Sequence, residues 1–268
     1  MQDSMKQYFL SLIITGTLLF GANSLFAQTG DVLNPSEGTG FLIGPVGGIN
    51  LVSYKTAEFP ILNSEPTCFT AQNGSDIAPF FGLTAEIPLS VSMQSFIIIE
   101  ALYDSKSSKF TATNATRSNI PTKVNGNVQN GTITTSETAS LTYLQINGGY
   151  KYNFTEGPSP VGPGLQLCVS VGLKLTSTLN KTVTVSAADP NGGIQQNTQT
   201  NSLAAPGAQG IRVGLRGQFT YDIPLSPAWI ATPTVGYDFP FTKVDNTSSN
   251  WSASSAYAGV AIRYFIGK

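Results

Sequence analysis

The chain has no histidine, and only 11% of its 268 residues are charged. It therefore lacks the side chain whose ordinary titration spans neutral pH, which is also the usual general base of nucleophilic hydrolases. The formal charge sums to −1, so no bulk electrostatic pull toward nucleic acid exists and no such partner is expected. The cysteines are Cys68 and Cys168, with no CxxC or Cys/His spacing between them. That excludes a metal cluster built on them and gives no disulfide framework. After the first thirty residues no apolar run approaches the roughly twenty residues of a spanning helix, which excludes a helical membrane protein and leaves open one that crosses with strands. GTG at 38–40 and GPVGG at 44–48 are followed by no helix on which an anion could sit, so they are not phosphate cradles. No catalytic, cofactor-binding or metal-ligating constellation is expected.

What the chain does have is alternation. From Gly210 to Asp222, Ile211, Val213, Leu215, Gly217, Phe219 and Tyr221 alternate with Arg212, Gly214, Arg216, Gln218 and Thr220. Period two means a strand with one apolar and one polar face. Its length exceeds the usual strand of about five or six residues and matches the tilted strand of about nine to eleven that crosses a bilayer.

The same pattern gives eight strands: Gly40 to Tyr54, Ile77 to Leu89, Gln94 to Asp104, Ala139 to Phe154, Leu165 to Thr178, Gly210 to Asp222, Trp229 to Phe241 and Ser254 to Phe265. The connections alternate in length. Ser90 to Met93, Thr155 to Gly164 and Ile223 to Ala228 are short and rich in Pro or Ser. Lys55 to Asp76, Ser105 to Thr138, Leu179 to Gln209 and Thr242 to Ser252 are long and rich in Asn, Thr and Ser. Short turns at one end and long loops at the other are what an outer-membrane barrel shows, with the loops outside the cell. The expected fold is thus all-β, an eight-stranded antiparallel transmembrane β-barrel, with the long connections read as loops without structure.

Before the barrel domain of 40–268, residues 1–27 read as a signal peptide, with Lys6 in the positive segment, Tyr8 to Phe20 apolar, and cleavage after Ala27. Residues 28–39 read as a flexible lead-in. Localisation in the cell outer membrane follows.

On the apolar face lie Ile49, Leu83, Ile99, Ile146, Val169, Phe239 and Val260, with aromatics such as Trp229, Phe241 and Tyr264 near strand ends, as in the girdles at lipid interfaces. The opposite face collects Glu86, Glu100, Asp104, Lys151, Lys174, Arg212, Arg216, Asp222, Asp238 and Arg263. Five acids meet five bases. An eight-stranded barrel has an interior just wide enough for side chains, so this luminal charge network is expected to pair with itself. By distance from the strand ends, Glu86, Lys151, Asp222 and Arg263 lie toward the periplasm, and Glu100 and Arg216 form a pair near mid-height. The loop after the third strand, with Lys106, Lys109, Arg117 and Lys123, reads as a basic external loop, either simply solvated and mobile or able to meet lipopolysaccharide phosphates.

Four segments carry a resemblance: GPVGGINLVSY in the first strand, FFGLTAEIPL with Glu86 in the second, LTYLQINGGYKYNF in the fourth, and the final YAGVAIRYF. Together they resemble the bacterial outer-membrane β-barrel domain family, the small OmpX-like and PorT-like barrels. The last segment is similar to the insertion signal read by the barrel assembly machinery, with Gly259, Ile262 and Tyr264 at the matching positions. The family is one of architecture, so no catalytic residue is implied. Implied partners are outer-membrane lipid and lipopolysaccharide, the assembly machinery during insertion, and an extracellular ligand. The reading is a non-catalytic protein acting through its external loops or as an envelope structural component. A narrow pore is the alternative, and a lipid-modifying enzyme ranks third.

Overall fold

The structure, a computed structural model, describes residues 40–55, 70–89, 93–113, 116–124, 127–155, 161–188, 194–204, 208–244 and 252–267. The segments read as signal peptide and lead-in lie outside the described residues. Ten strands are present: β1 (Phe41–Lys55), β2 (Thr70–Pro88), β3 (Ser95–Thr113), β4 (Thr116–Val124), β5 (Asn127–Asn153), β6 (Gly162–Ala188), β7 (Ile194–Ala204), β8 (Ile211–Pro224), β9 (Trp229–Pro240) and β10 (Ser252–Ile266). Eight of them form a closed antiparallel barrel in the order β1-β2-β3-β5-β6-β8-β9-β10, sealed by β1 against β10 and by β5 against β6. No described helix is long and apolar enough to cross a membrane.

The alternation sets the faces. Ile49, Leu83, Ile99, Ile146, Val169, Phe239 and Val260 all point outward and are exposed, while the residues between them turn into the lumen. Outward aromatics meet near both ends, Trp229 with Tyr264 at 5.0 Å and Phe81 with Tyr103 at 4.9 Å between ring centroids. At one height the wall is thinned. Gly48 lies opposite Gly259 across β1 and β10, and a Cβ at either would come within 2.8 Å of the Phe80 ring that packs against them. Glycine at both positions leaves room for that ring to pack against the backbone.

Two of the long connections, 105–138 and 179–209, are largely strand where they are described. β5 and β6 each run for 27 residues, well beyond the nine to eleven or so that a crossing needs. They stay paired from Asn153↔Gly164 to Gly131↔Ala187. Where β3 leaves β5 after Phe110↔Glu137, β4 takes its place from Thr116↔Thr134, and β7 flanks β6 from Thr178↔Ala204 to Ala188↔Ile194. A four-stranded sheet, β4-β5-β6-β7, therefore stands on one side of the barrel rim. Its many Thr residues supply strand propensity, and its Ser, Asn and Gln little apolar contrast, so the period-two signal used for the membrane strands is weak there.

Candidate functional site: the barrel lumen

The barrel interior is built in layers. At the short-turn end, Leu42, Met93, Phe96, Ile98, Cys168 and Ile230 form a buried apolar cluster with Phe265 packed against it. Met93 comes from the turn between β2 and β3, held at a positive φ of 49°. Cys168 is a buried free thiol, and Cys68 lies outside the described residues.

In the same region four charges close a ring. Lys151 on β5 reaches Glu86 on β2 at 3.2 Å and Asp222 on β8 at 2.7 Å. Arg263 on β10 meets Asp222 at 2.5 Å and also contacts Glu86. Each acid touches both bases and each base both acids, so the ring is neutral and every charge has two opposite neighbours. The lone pairs left over on Asp222 accept from Thr232 at 2.7 Å and Asn153 at 3.1 Å. Arg263 also donates to Thr232. Paired and hydrogen-bonded in this way, charges can be held out of water.

A second set lies toward the long-hairpin end. Lys106 bridges Asp104 at 3.0 Å and Asp238 at 3.2 Å, and Arg212 meets Asp238 at 3.0 Å. Asn50 donates to Asp104 at 2.7 Å and Lys106 donates to Ser255 at 2.6 Å. Two acids and two bases again cancel. Above them Val52, Tyr54, Ala78, Ala139, Leu141, Tyr143, Val244 and Ala253 form a second apolar cluster. Tyr54 donates to the backbone oxygen of Lys106, and the segment after β9 is tied across by Gln209 N–H to Val244 C=O at 2.7 Å.

Between the two sets sit Glu100 and Arg216. No ion pair joins them, which corrects the expected mid-height pair. Glu100 accepts from Asn147 at 2.8 Å and Gln166 at 3.0 Å. Arg216 instead stacks on aromatic rings, its guanidinium carbon 3.6 Å from the Tyr257 centroid and 5.1 Å from that of Phe80. The two share a level in the lumen, as their distances from the strand ends implied, but each is taken up by other partners, Glu100 by two amides and Arg216 by two rings. Both residues line a cavity of about 10 Å³, also bounded by Gln218, Thr220 and Thr234. One water molecule fits there.

Of the ten charges expected in the lumen, nine are buried on it. Lys174 is half-buried at the rim, where it donates to Ala208 C=O at 2.5 Å. Sequence reasoning missed Lys106, which it placed in a basic external loop. Lys106 is fully buried, because β3 keeps its alternation through Glu100, Leu102, Asp104 and on to Lys106. Lys109 is exposed; the side chains of Arg117 and Lys123 lie outside the described residues. Of the residues read as an assembly signal, Gly259 makes the close approach to Gly48, while Ile262 and Tyr264 sit on the outward face.

A closed antiparallel barrel with an apolar outer band, aromatic rims and a charge-paired interior is an integral outer-membrane β-barrel. The sequence profile of the outer membrane protein beta-barrel domain family matches residues 26–246. The chain belongs to that family, and its place is the outer membrane. No curated protein matches it in sequence. Among solved structures it is similar to the Yersinia pestis attachment invasion locus protein Ail, at 8% identity over 83% of this chain and 98% of that one, with a TM-score of 0.34. It is also similar to Neisserial surface protein A, at 12% identity over 85% and 99%, TM-score 0.33. OprG of Pseudomonas aeruginosa matches at 9% identity over 88% and 99%, TM-score 0.36.

Proposed function

We propose that the barrel is a sealed, non-catalytic anchor that carries the β4-β5-β6-β7 sheet to the cell exterior, where that sheet meets its partners. The observation that carries this reading is the layered lumen: two neutral charge sets between apolar ends, with space at mid-height for one water. A pore would need a continuous wet path, whereas these side chains meet each other. The length of β5 and β6 supports the second half, since the residues beyond the membrane-crossing part are paired into a sheet. Absence of histidine from the chain is the ground for the non-catalytic part. The reading includes lipid and lipopolysaccharide around the outer face, and delivery by the barrel assembly machinery through Gly259, Ile262 and Tyr264.

Single-channel recording on the refolded protein in planar bilayers tests the seal. No discrete steps are expected, and a steady ohmic conductance would overturn it. Orientation is tested separately in a Cys68→Ser background, with a membrane-impermeant maleimide applied to intact cells. Thr200→Cys on β7 should label and Ser226→Cys in the β8–β9 turn should not; the reverse would put the sheet in the periplasm.

A further inference from the structure

The sheet beyond the membrane has two edges, and they are built differently. β4, on one side, carries Arg117, Lys123 and Pro121, and its register shifts between Arg117 and Ile120. Charges, proline and a bulge are the devices by which proteins keep an edge strand from pairing with another chain. β7, on the other side, has the sequence IQQNTQTNSLA, with no charge, no proline and no glycine. Its register with β6 runs unbroken over the whole strand, and its far edge pairs with no described strand. Five of its eleven residues are Gln or Asn. That composition, uncharged and unbroken, is the one that favours strands stacking on copies of themselves.

We infer that β7 is a homophilic contact strand, which pairs antiparallel with β7 of a second copy of this chain; the inference rests on the sheet being extracellular. The sequence is self-complementary about its centre. With Gln199 opposite Gln199 of the second copy, Asn197 falls opposite Asn201 and Thr198 opposite Thr200. Within one chain the exposed Thr198 and Thr200 are already in hydroxyl contact with Thr184 at 3.3 Å and Thr182 at 3.2 Å. Pairing across the two-fold extends that ladder from Thr184 and Thr198 of one copy to Thr200 and Thr182 of the next, the type of cross-strand pair that stabilises antiparallel sheets. No charge opposes the approach, and the backbone bonds of an added strand supply the affinity.

The direction of pairing has a spatial consequence. β7 runs alongside an extension of a barrel strand, so antiparallel β7 strands point their barrels opposite ways. Two copies would meet from facing membranes, not side by side in one.

The test uses the full-length refolded protein in a Cys68→Ser background. Under mild oxidation, Gln199→Cys should give a disulfide-linked dimer, and Asn119→Cys on β4 should not. The double variant Asn197→Lys with Asn201→Lys sets lysine against lysine across the two-fold and should weaken dimerisation in sedimentation at least tenfold. Mixing it with Asn197→Glu, Asn201→Glu should restore association, which a merely misfolded lysine variant would not do. In proteoliposomes the unmodified protein should tether vesicles and the lysine variant should not. Equal cross-linking from β4 and β7, a lysine variant that dimerises as before, or no rescue on mixing would overturn the inference. Conductance of the same samples keeps the two readings apart: a conducting barrel with intact β7 pairing removes the sealed anchor only, and a silent monomer removes the homophilic strand only.

Discussion

Lys106 shows how much a single luminal side chain carries. It is fully buried and bridges two acids on different strands. Lys106→Met leaves Asp104 and Asp238 facing each other with only Arg212 to neutralise them. Stripping one partner from a buried pair costs on the order of 3–5 kcal/mol. Urea unfolding in detergent should show a loss of that size, and adding Asp238→Asn should recover part of it. The cycle formed by Glu100→Gln and Arg216→Gln should instead show weaker coupling than the Lys106–Asp238 cycle, since these side chains share a cavity but no ion pair. Strong coupling in that second cycle would mean that they meet in the membrane. Lys106 was legible in principle, because it continues the alternation of Glu100 and Asp104 by one more step. The stacking of Arg216 on Phe80 and Tyr257 was not, because it depends on the stagger between β2, β8 and β10, which no single strand records.

Along a strand, depth decides what a substitution costs. Val169 on β6 lies opposite Leu215, one residue from Arg216 and near mid-height. Val213 lies nearer the hairpin end, where its N–H donates to Thr242 at 3.0 Å. A charge on the lipid face costs roughly 2–4 kcal/mol at the midplane and about 0–1 near an interface. Val169→Arg should therefore destabilise the lipid-embedded barrel by the larger amount and Val213→Arg by the smaller. Equal losses in vesicle unfolding would contradict the assigned depths. The membrane-crossing parts of all eight barrel strands could be read from the sequence, because lipid on one face and packed lumen on the other force a contrast at every residue. β4, β7 and the upper halves of β5 and β6 were read as loops, because segments such as TITTSET and QQNTQTN show little of the apolar-polar contrast on which period-two reading depends.

For the whole molecule, β10 is the piece on which closure depends. It pairs with β1 and β9 and contributes Arg263 to the lower charge ring. Deleting 252–266 would open two strand edges inside hydrocarbon and leave Glu86 and Asp222 to share Lys151 alone. Unpaired backbone groups are not tolerated in lipid, so no folded, protease-resistant barrel should be recovered from detergent refolding. Recovery of one would mean that β1 and β9 can close without β10.

The charge rings also bear on time. Lys106 and Asp238 are 132 residues apart in the chain, and the lower ring draws one member each from β2, β5, β8 and β10. The lower ring cannot be completed, and Lys106 cannot reach Asp238, until strands from both halves of the barrel have come together. Interactions that appear only after the main folding barrier leave the folding rate almost unchanged and slow the reverse reaction instead. The completed lower ring and the Lys106–Asp238 bridge are then latches on the way out: to leave the native state the barrel must part several charges at once in a medium that does not solvate them. Its persistence in the envelope would be set by how seldom it opens and hardly at all by how quickly it formed.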